Sequence, residues 1–268
     1  MSRFKWLEFD SPENRKTDGF DKLPGNSETA GVDLTNPGHV LRLADENYRK
    51  LEYERALKYY SKVLGIDPNI EEAWFGQLLC LLDLEEIPEA LTWSIKANKL
   101  FPKSANIISA RALASARDAN LKDAMAFSDG AMKNDNVSWF SWIARGEIIA
   151  LTKGNNAEFC MMKAIELLPN DWLVFFKIAQ SYSNTPLFEK AIPVLQKALS
   201  KKSDLPEIYY LLGVIQNRLN LHSAAEESFS RANKLAPVNK KYNDAYCRAI
   251  NKSLFSKVFS WVKGLFVK

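Results

Sequence analysis

The side chains that most often carry enzyme chemistry are few in this chain, and they lie far apart. Its only two histidines, His39 and His222, are separated by most of the 268 residues, so neither a metal site nor a histidine-centred triad can be assembled locally from them. The three cysteines, Cys80, Cys160 and Cys247, have neither the number nor the spacing of a disulfide framework or a zinc ligand set. We therefore interpret them as small apolar side chains and expect them to be buried.

Motifs for phosphate binding and for acid–base catalysis are missing as well. None of the 11 glycines has the GxxxxGK spacing of a phosphate-binding loop. Neighbouring carboxylates, such as Glu85 with Glu86 and Glu226 with Glu227, are typical of solvent-exposed helix faces. The sequence thus predicts a non-enzymatic protein without catalytic residues, cofactor or metal.

What the sequence does contain is a recurring pattern of large and small residues. Its clearest copy runs from residue 209 to residue 237 and carries Tyr209, Leu212, Gly213, Ala225, Phe229, Ala232 and Pro237. The spacing predicts two helices, the second stopped by the proline. The small residues would let the two backbones approach closely, while the aromatic side chains fill the space beside them.

The same pattern recurs along the chain with one period. The position of Ala225 returns in steps of 34 residues at Ala191, Ala157, Ala124, Ala90 and Ala56. The one exception is the step of 33 residues between Ala124 and Ala157. The position of Ala232 returns as Ala198, Ala164, Ala131, Ala97 and Val63, and that of Tyr209 as Phe175, Trp142 and Trp74. Because one period governs several positions together, the sequence predicts about six helical hairpins over residues 37–238. The missing residue of the fourth repeat should lie in the turn over residues 153–156.

This pattern resembles the tetratricopeptide repeat. The resemblance implies an all-α solenoid, a right-handed superhelix of about six hairpins, whose first helices line a concave groove that binds a peptide or helix of a partner protein. By the family's usual inward positions, the groove residues of this chain are Phe75, Leu79, Arg117, Phe140, Phe176, Tyr210 and Arg218.

One specialised branch of the family can be tested against these positions. Its members hold an acidic C-terminal tail with lysines and asparagines on the first helices of three repeats. Here the corresponding residues are Leu41 and Asp45 in the first repeat, and then Phe75 with Leu79, Ser109 with Leu113, and Phe176 with Gln180. That clamp is absent, and the groove should instead favour an apolar or aromatic ligand, with its arginines available to an acidic residue on it.

The segments on either side of the repeats differ from them in composition. Residues 1–36 are rich in Pro, Gly and polar residues and are predicted to be a disordered leader. Within the leader, Phe4, Trp6, Leu7 and Phe9 form an apolar cluster that either folds back on the first repeat or docks on a partner.

Residues 239–268 should begin with a helix that caps the sixth repeat through Tyr246, Cys247 and Ile250. The continuation, 254–268, is amphipathic and basic, with one apolar arc formed by Leu254, Phe255, Val258, Phe259, Trp261, Val262, Leu265 and Phe266. Such a helix is typical of a membrane surface or a partner's groove, and folding back on the solenoid is the other interpretation.

Three functions are compatible with these features. The first is a protein-binding scaffold or adaptor, and the second is an adaptor held at an anionic membrane surface by residues 254–268. The third, RNA binding, is disfavoured because the net charge is only +4 and acidic residues are interleaved with the basic ones. With neither a secretory signal nor an apolar run long enough to span a membrane, we expect a cytoplasmic protein, peripheral at the membrane if the second function holds.

Overall fold

The structure is a computed structural model that describes residues 33–252, and all regular elements within this range are helical. Twelve α-helices precede the last one: α1 (Pro37–Arg49), α2 (Tyr53–Ile66), α3 (Glu71–Asp83), α4 (Ile87–Leu100), α5 (Ala105–Arg117), α6 (Leu121–Ala131), α7 (Trp139–Leu151), α8 (Ala157–Leu167), α9 (Trp172–Ser183), α10 (Ala191–Lys201), α11 (Pro206–Arg218) and α12 (His222–Leu235). A final helix, α13, runs from residue 240 to residue 252, the last described residue. None of these helices is long and apolar enough to cross a membrane.

The helices pack as hairpins in the order that the repeats predict. Contacts divide the chain into two compact units, whose described parts are residues 33–148 and 149–252. In the first unit α1 packs on α2, α2 on α3, α4 on α5, and α5 on α6. In the second unit the neighbours are α9 with α10, α10 with α11, and α11 with α12. The pairs α1–α2, α3–α4, α5–α6, α9–α10 and α11–α12 therefore make hairpins as the repeats predict.

The turn inside a hairpin has the same geometry in most repeats. The residue two positions after the first helix is left-handed, with φ between 59° and 62°, at Leu51, Glu85, Ala119, Lys153 and Asn220. The next residue donates its backbone N–H to the carbonyl five residues back, over 2.8 to 3.0 Å, in each of these turns. This hydrogen bond satisfies a carbonyl that the end of a helix would otherwise leave without a partner.

The two irregular repeats differ at this turn. The segment between Lys153 and Ala157 is one residue shorter than the equivalent segment between Ala119 and Ala124. The missing residue of the fourth repeat therefore lies in the turn where the sequence predicts it. The fifth repeat has no left-handed residue here and instead forms a short 3-10 helix, Phe188–Lys190, before α10. Pro186 stands one 34-residue period before the left-handed Asn220, and a proline ring fixes φ at about −65°, so the regular geometry cannot form there.

Close approach of the paired helices confirms the register of the repeats. Both small-residue series are buried, with at most 2% of each side chain exposed, from Ala56 to Ala225 and from Val63 to Ala232. At Gly213 a Cβ atom would lie 2.8 Å from the Phe229 ring, so the glycine there is required by contact with α12. Of the three cysteines, Cys80 and Cys160 are buried as predicted, whereas Cys247 is exposed on α13, contrary to the prediction.

Candidate functional site

Three of the seven predicted groove residues belong to the packed interior. Leu79, Phe140 and Phe176 are 6%, 4% and 1% exposed, so the prediction that they offer a surface to a partner is wrong. Their apolar side chains are covered by neighbouring helices of the chain itself. Phe75, which is half-buried, makes an edge-to-face contact with Phe140 at a ring-centroid distance of 5.1 Å.

Arg117 is a link between repeats and does not present a free guanidinium. Its Nε and Nη2 donate to the two carboxylate oxygens of Glu147 over 3.1 and 3.3 Å, and its Nη1 donates to the Leu82 carbonyl over 2.9 Å. Glu147 is 1% exposed. Burial alone would lower the pKa of Arg117, but the Glu147 carboxylate and its hydrogen bonds raise that pKa. The arginine predicted to meet a ligand therefore neutralises a buried carboxylate.

Arg218 occupies the equivalent place in the sixth repeat and uses the same kind of bond. Its Nη1 donates to the Ser183 carbonyl over 2.9 Å, and Leu82 and Ser183 each lie 35 residues before the arginine that they bind. The guanidinium carbon of Arg218 also lies 3.8 Å from the centroid of the Phe188 ring. Arg218 stays exposed, but these contacts hold it against the end of α9.

Tyr210 is half-buried beneath the start of α13. Its ring lies 5.7 Å from the Phe229 ring and 5.6 Å from the Tyr242 ring, between centroids. The Lys241 ammonium lies 4.2 Å from the Tyr210 centroid and also bonds both carboxylate oxygens of Glu207, over 2.8 and 3.0 Å. The Tyr242 hydroxyl donates to the same carboxylate over 2.8 Å, and burial together with that carboxylate raises the pKa of Tyr242. Glu207 is therefore already engaged by two side chains of α13.

Beyond this contact, α11, α12 and α13 enclose an open groove with a volume of about 300 Å³. We call it the α11–α13 groove; its lining residues are Tyr210, Val214, Asn217, Phe229, Ala245, Arg248, Ala249 and Lys252. None of these eight is acidic, while Val214 and the two basic residues are exposed. The floor of the groove is apolar, and its rim carries positive charge.

Only Tyr210 of this groove is among the residues predicted from sequence. Half of the lining comes from α13, which the sequence indicates only as a cap. A signal was nevertheless present, because Arg248 and Lys252 follow Val214 and Arg218 by one 34-residue period. Lys252 even repeats part of the pattern of Arg218, with its Nζ atom 3.5 Å from Asn217 Oδ1, 35 residues earlier.

A second, larger cavity of about 740 Å³ lies over α12, with Tyr209 of α11 and Tyr246 of α13 in its lining. Its charged residues have both signs, Glu226 and Glu227 together with Arg231 and Lys234, so this cavity selects no single ligand charge.

The remaining predictions concern metal binding, for which the sequence offers no site, and the two terminal segments. Within residues 33–252 there is no group of three or more His, Cys, Asp or Glu side chains that could hold a metal ion. The apolar cluster of Phe4, Trp6, Leu7 and Phe9 lies outside the described residues. So does the amphipathic segment that contains Leu254, Phe255, Val258, Phe259, Trp261, Val262, Leu265 and Phe266.

Comparison with known proteins agrees with this architecture. The family model described as the tetratricopeptide repeat matches residues 41–105 and 176–240. No curated protein matches the chain by sequence.

Solved structures show the same fold at low identity. A tetratricopeptide repeat protein from Parabacteroides merdae is 17% identical with a TM-score of 0.52, over 83% of this chain and 87% of that chain. The human IFIT1 dimer with PPP-AAAA is 21% identical with a TM-score of 0.55, over 74% of this chain and 50% of the other. The APC/C hetero-tetramer Cut9–Hcn1 is 14% identical with a TM-score of 0.52 and covers 83% of this chain, which spans only 44% of the matched one.

These comparisons agree with the helical hairpins and with the turn geometry that recurs from repeat to repeat. Together they confirm the all-α solenoid fold class. Residues 41–105 and 176–240 match the tetratricopeptide repeat family, and the fold is that of solved tetratricopeptide repeat proteins.

Proposed function

We propose that this protein is a non-enzymatic adaptor whose α11–α13 groove binds a segment of a partner protein that combines apolar and acidic side chains. Tetratricopeptide repeat proteins in general are scaffolds that bind protein partners. The observation that supports the finer proposal is the lining of the groove, which is apolar at its floor, basic at its rim and free of acidic residues.

The apolar floor would supply most of the affinity. Tyr210, Val214 and Phe229 offer aromatic and aliphatic surface, and Ala245 and Ala249 leave room for a ligand side chain beside them. Each Å² of apolar surface that a ligand side chain buries here contributes about 25 cal/mol. Val214 is 37% exposed, so this surface is open to solvent in the absence of a partner.

The basic rim would supply selectivity. Glu207, the only acidic residue of α11, is bound by Lys241 and Tyr242, so it does not offset the charges of Arg248 and Lys252. Arginine can bind a carboxylate through two parallel hydrogen bonds, which makes an acidic residue next to an apolar one the best match. A basic segment would meet like charge and be rejected.

The proposal is tested with synthetic 12-residue peptides and the full-length chain. One labelled peptide carries leucine and phenylalanine flanked by aspartates, and a second peptide has the aspartates replaced by lysines. We expect the acidic peptide to bind more tightly, in a salt-sensitive manner. The double variant Arg248→Glu/Lys252→Glu should weaken its binding at least about tenfold, equivalent to about 1.4 kcal/mol.

The matched control is Lys197→Glu/Lys240→Glu, which makes the same charge change at two exposed lysines that do not line the groove. The proposal fails if both double variants weaken binding equally, or if the basic peptide binds as well as the acidic one.

Two other functions stay predictions. The membrane-surface adaptor depends on residues 254–268, which the structure does not describe. The IFIT1 structure contains PPP-AAAA, but 21% identity to that protein shows the fold alone, and RNA binding by this chain would require a salt-sensitive complex. A cytoplasmic location likewise remains a prediction from sequence.

A further inference from the structure

We propose that residues 254–268 complete a seventh hairpin by packing, as its second helix, on the uncovered face of α13. The proposal does not depend on the ligand of the α11–α13 groove. It concerns a different face of α13, which would pack on a second helix of the same hairpin.

The first observation is that α13 occupies the place of a first helix. Lys241 and Tyr242 both bond to Glu207, one repeat earlier on α11, as Arg218 bonds to Ser183 on α9. Ala245 and Ala249 pack in one apolar cluster with Ala225 and Phe229 of α12, in the manner of a helix that follows a complete hairpin. Such a helix is followed by a second one that packs on it in the pairs α3–α4, α5–α6, α9–α10 and α11–α12.

The second observation is the face that this second helix would cover. In the sixth repeat the corresponding face consists of Tyr209, Leu212, Gly213 and Gln216, of which Gly213 contacts Phe229 and Gln216 accepts a hydrogen bond of 2.7 Å from Ser228 on α12. One period later these positions are Asn243, Tyr246, Cys247 and Ile250. Asn243 and Cys247 are exposed, and Tyr246 and Ile250 are only half-buried, so α13 presents an apolar strip that its own repeat has not closed.

The third observation is the register of the residues that follow. A step of 33 residues, the length already used between Ala124 and Ala157, places Val258, Val262 and Leu265 at the positions of Ala225, Phe229 and Ala232. All three are apolar. At about 100° per residue the lysines at positions 257, 263 and 268 fall about 100° or more from Val262 and can stay in solvent.

Residue sizes also match across this interface. Asn243 stands where four of the other first helices carry an aromatic residue and two carry Ile108 and Val40, so it leaves more space than the aromatic residues do; the four are Tyr209, Phe175, Trp142 and Trp74. Val258 and Leu265 are larger than the alanines whose positions they take, and they can fill that space. We expect this face of α13 to be covered by the same chain and not by a second copy. A turn of about three residues, as between α11 and α12, would keep residues 254–268 close to α13 at a high effective concentration.

The test uses the native Cys247 of the full-length chain as a probe. In the sixth repeat the equivalent residues, Gly213 and Phe229, are in contact, and a pair in such contact lies within disulfide range. The variant Val262→Cys should therefore form an intramolecular disulfide with Cys247 under mild oxidation, found by mass spectrometry after digestion. Cys80 and Cys160 are buried and should not compete.

The matched control is Ser260→Cys, two residues away on the other side of the same segment. We expect the crosslink yield at position 262 to exceed that at position 260 at least about fivefold, since both thiols share the same tether but only one would face α13. Equal yields at the two positions would refute the packing. Crosslinks mainly between two chains would assign the face to a second copy instead.

A second measurement separates the membrane interpretation. If residues 254–268 pack on α13, Val258→Asp should lower the melting temperature of the full-length chain, whereas Ser260→Asp should leave it nearly unchanged. Phosphatidylcholine vesicles containing phosphatidylserine should bind the wild-type chain weakly. Strong binding to these vesicles, with no effect of Val258→Asp on melting, would overturn the proposal.

Discussion

Gly76→Ala is the substitution whose effect this structure predicts most sharply. Gly76 lies in the interior of α3, where α2 of the preceding hairpin comes so close that an added Cβ atom would lie 2.2 Å from Cζ of Tyr60. The ring cannot rotate away freely, because the Tyr60 hydroxyl donates a 2.7 Å hydrogen bond to Asp45 and the side chain is 3% exposed. The added methyl group must therefore push α3 and α2 apart or break that bond.

Two opposing contributions set the size of the effect. Replacing glycine by alanine inside a helix is favourable by up to about 1 kcal/mol, since the unfolded chain has less freedom to lose. Overpacking of a close contact costs about 1–3 kcal/mol. We expect a net destabilisation of about 1–2 kcal/mol, which in a protein of this size lowers the melting temperature by about 2–4 °C per kcal/mol.

The matched control is Gly130→Ala in α6, where an added Cβ atom has no neighbour within 4 Å. That variant gains the helix contribution alone and should be neutral to about 1 kcal/mol more stable. Circular dichroism during thermal and urea unfolding of both full-length variants measures the difference, which should equal the overpacking cost of about 1–3 kcal/mol.

A double-mutant cycle with Tyr60→Leu locates the cause. Because leucine has no ring at this contact, the loss from Gly76→Ala should shrink by more than half in that background. If Gly76→Ala proves as benign as Gly130→Ala, or if its cost is the same with and without the tyrosine, the close approach of α2 and α3 is wrong.

Three further substitutions test other features. Ala119→Gly should stabilise the chain by about 0.5–1 kcal/mol because residue 119 has a left-handed backbone. The control Ala126→Gly, at an exposed position inside α6, should destabilise it by about 1 kcal/mol. Urea unfolding should therefore give changes of opposite sign in the free energy of unfolding. Ala191→Leu should cost about 1–3 kcal/mol because Ala191 is 0% exposed, and a neutral result in thermal melting would refute the register of the fifth repeat. Arg117→Met should cost about 3–5 kcal/mol by leaving Glu147 buried without its partner, and adding Glu147→Met should recover much of that loss in the same assay.

The amino-acid sequence by itself determined the helices, their pairing and their register. The helices follow from the local pattern of apolar and polar residues. Their register follows from a period that repeats a small residue at each close contact between helices, so that Ala56 and Ala225 occupy equivalent positions in the first and sixth repeats. Even the shortened turn near Lys153 could be predicted, since a deletion shifts the phase of everything after it. Local sequence carries this information because each hairpin is stabilised mainly by its immediate neighbours.

Only the tertiary structure decided which inward positions are open to a ligand. Phe176 and Tyr210 occupy the same position in successive repeats, yet the first is buried and the second is half-buried, and this depends on what neighbouring helices place beside each ring. Arg117 is satisfied by Glu147, 30 residues away, a partner that no spacing rule identifies. The basic rim of the α11–α13 groove likewise exists because α13 returns Arg248 and Lys252 to the apolar floor of the sixth repeat. The physical reason is that a period determines where a backbone lies, while exposure and charge at a site depend on side chains brought together from separate repeats.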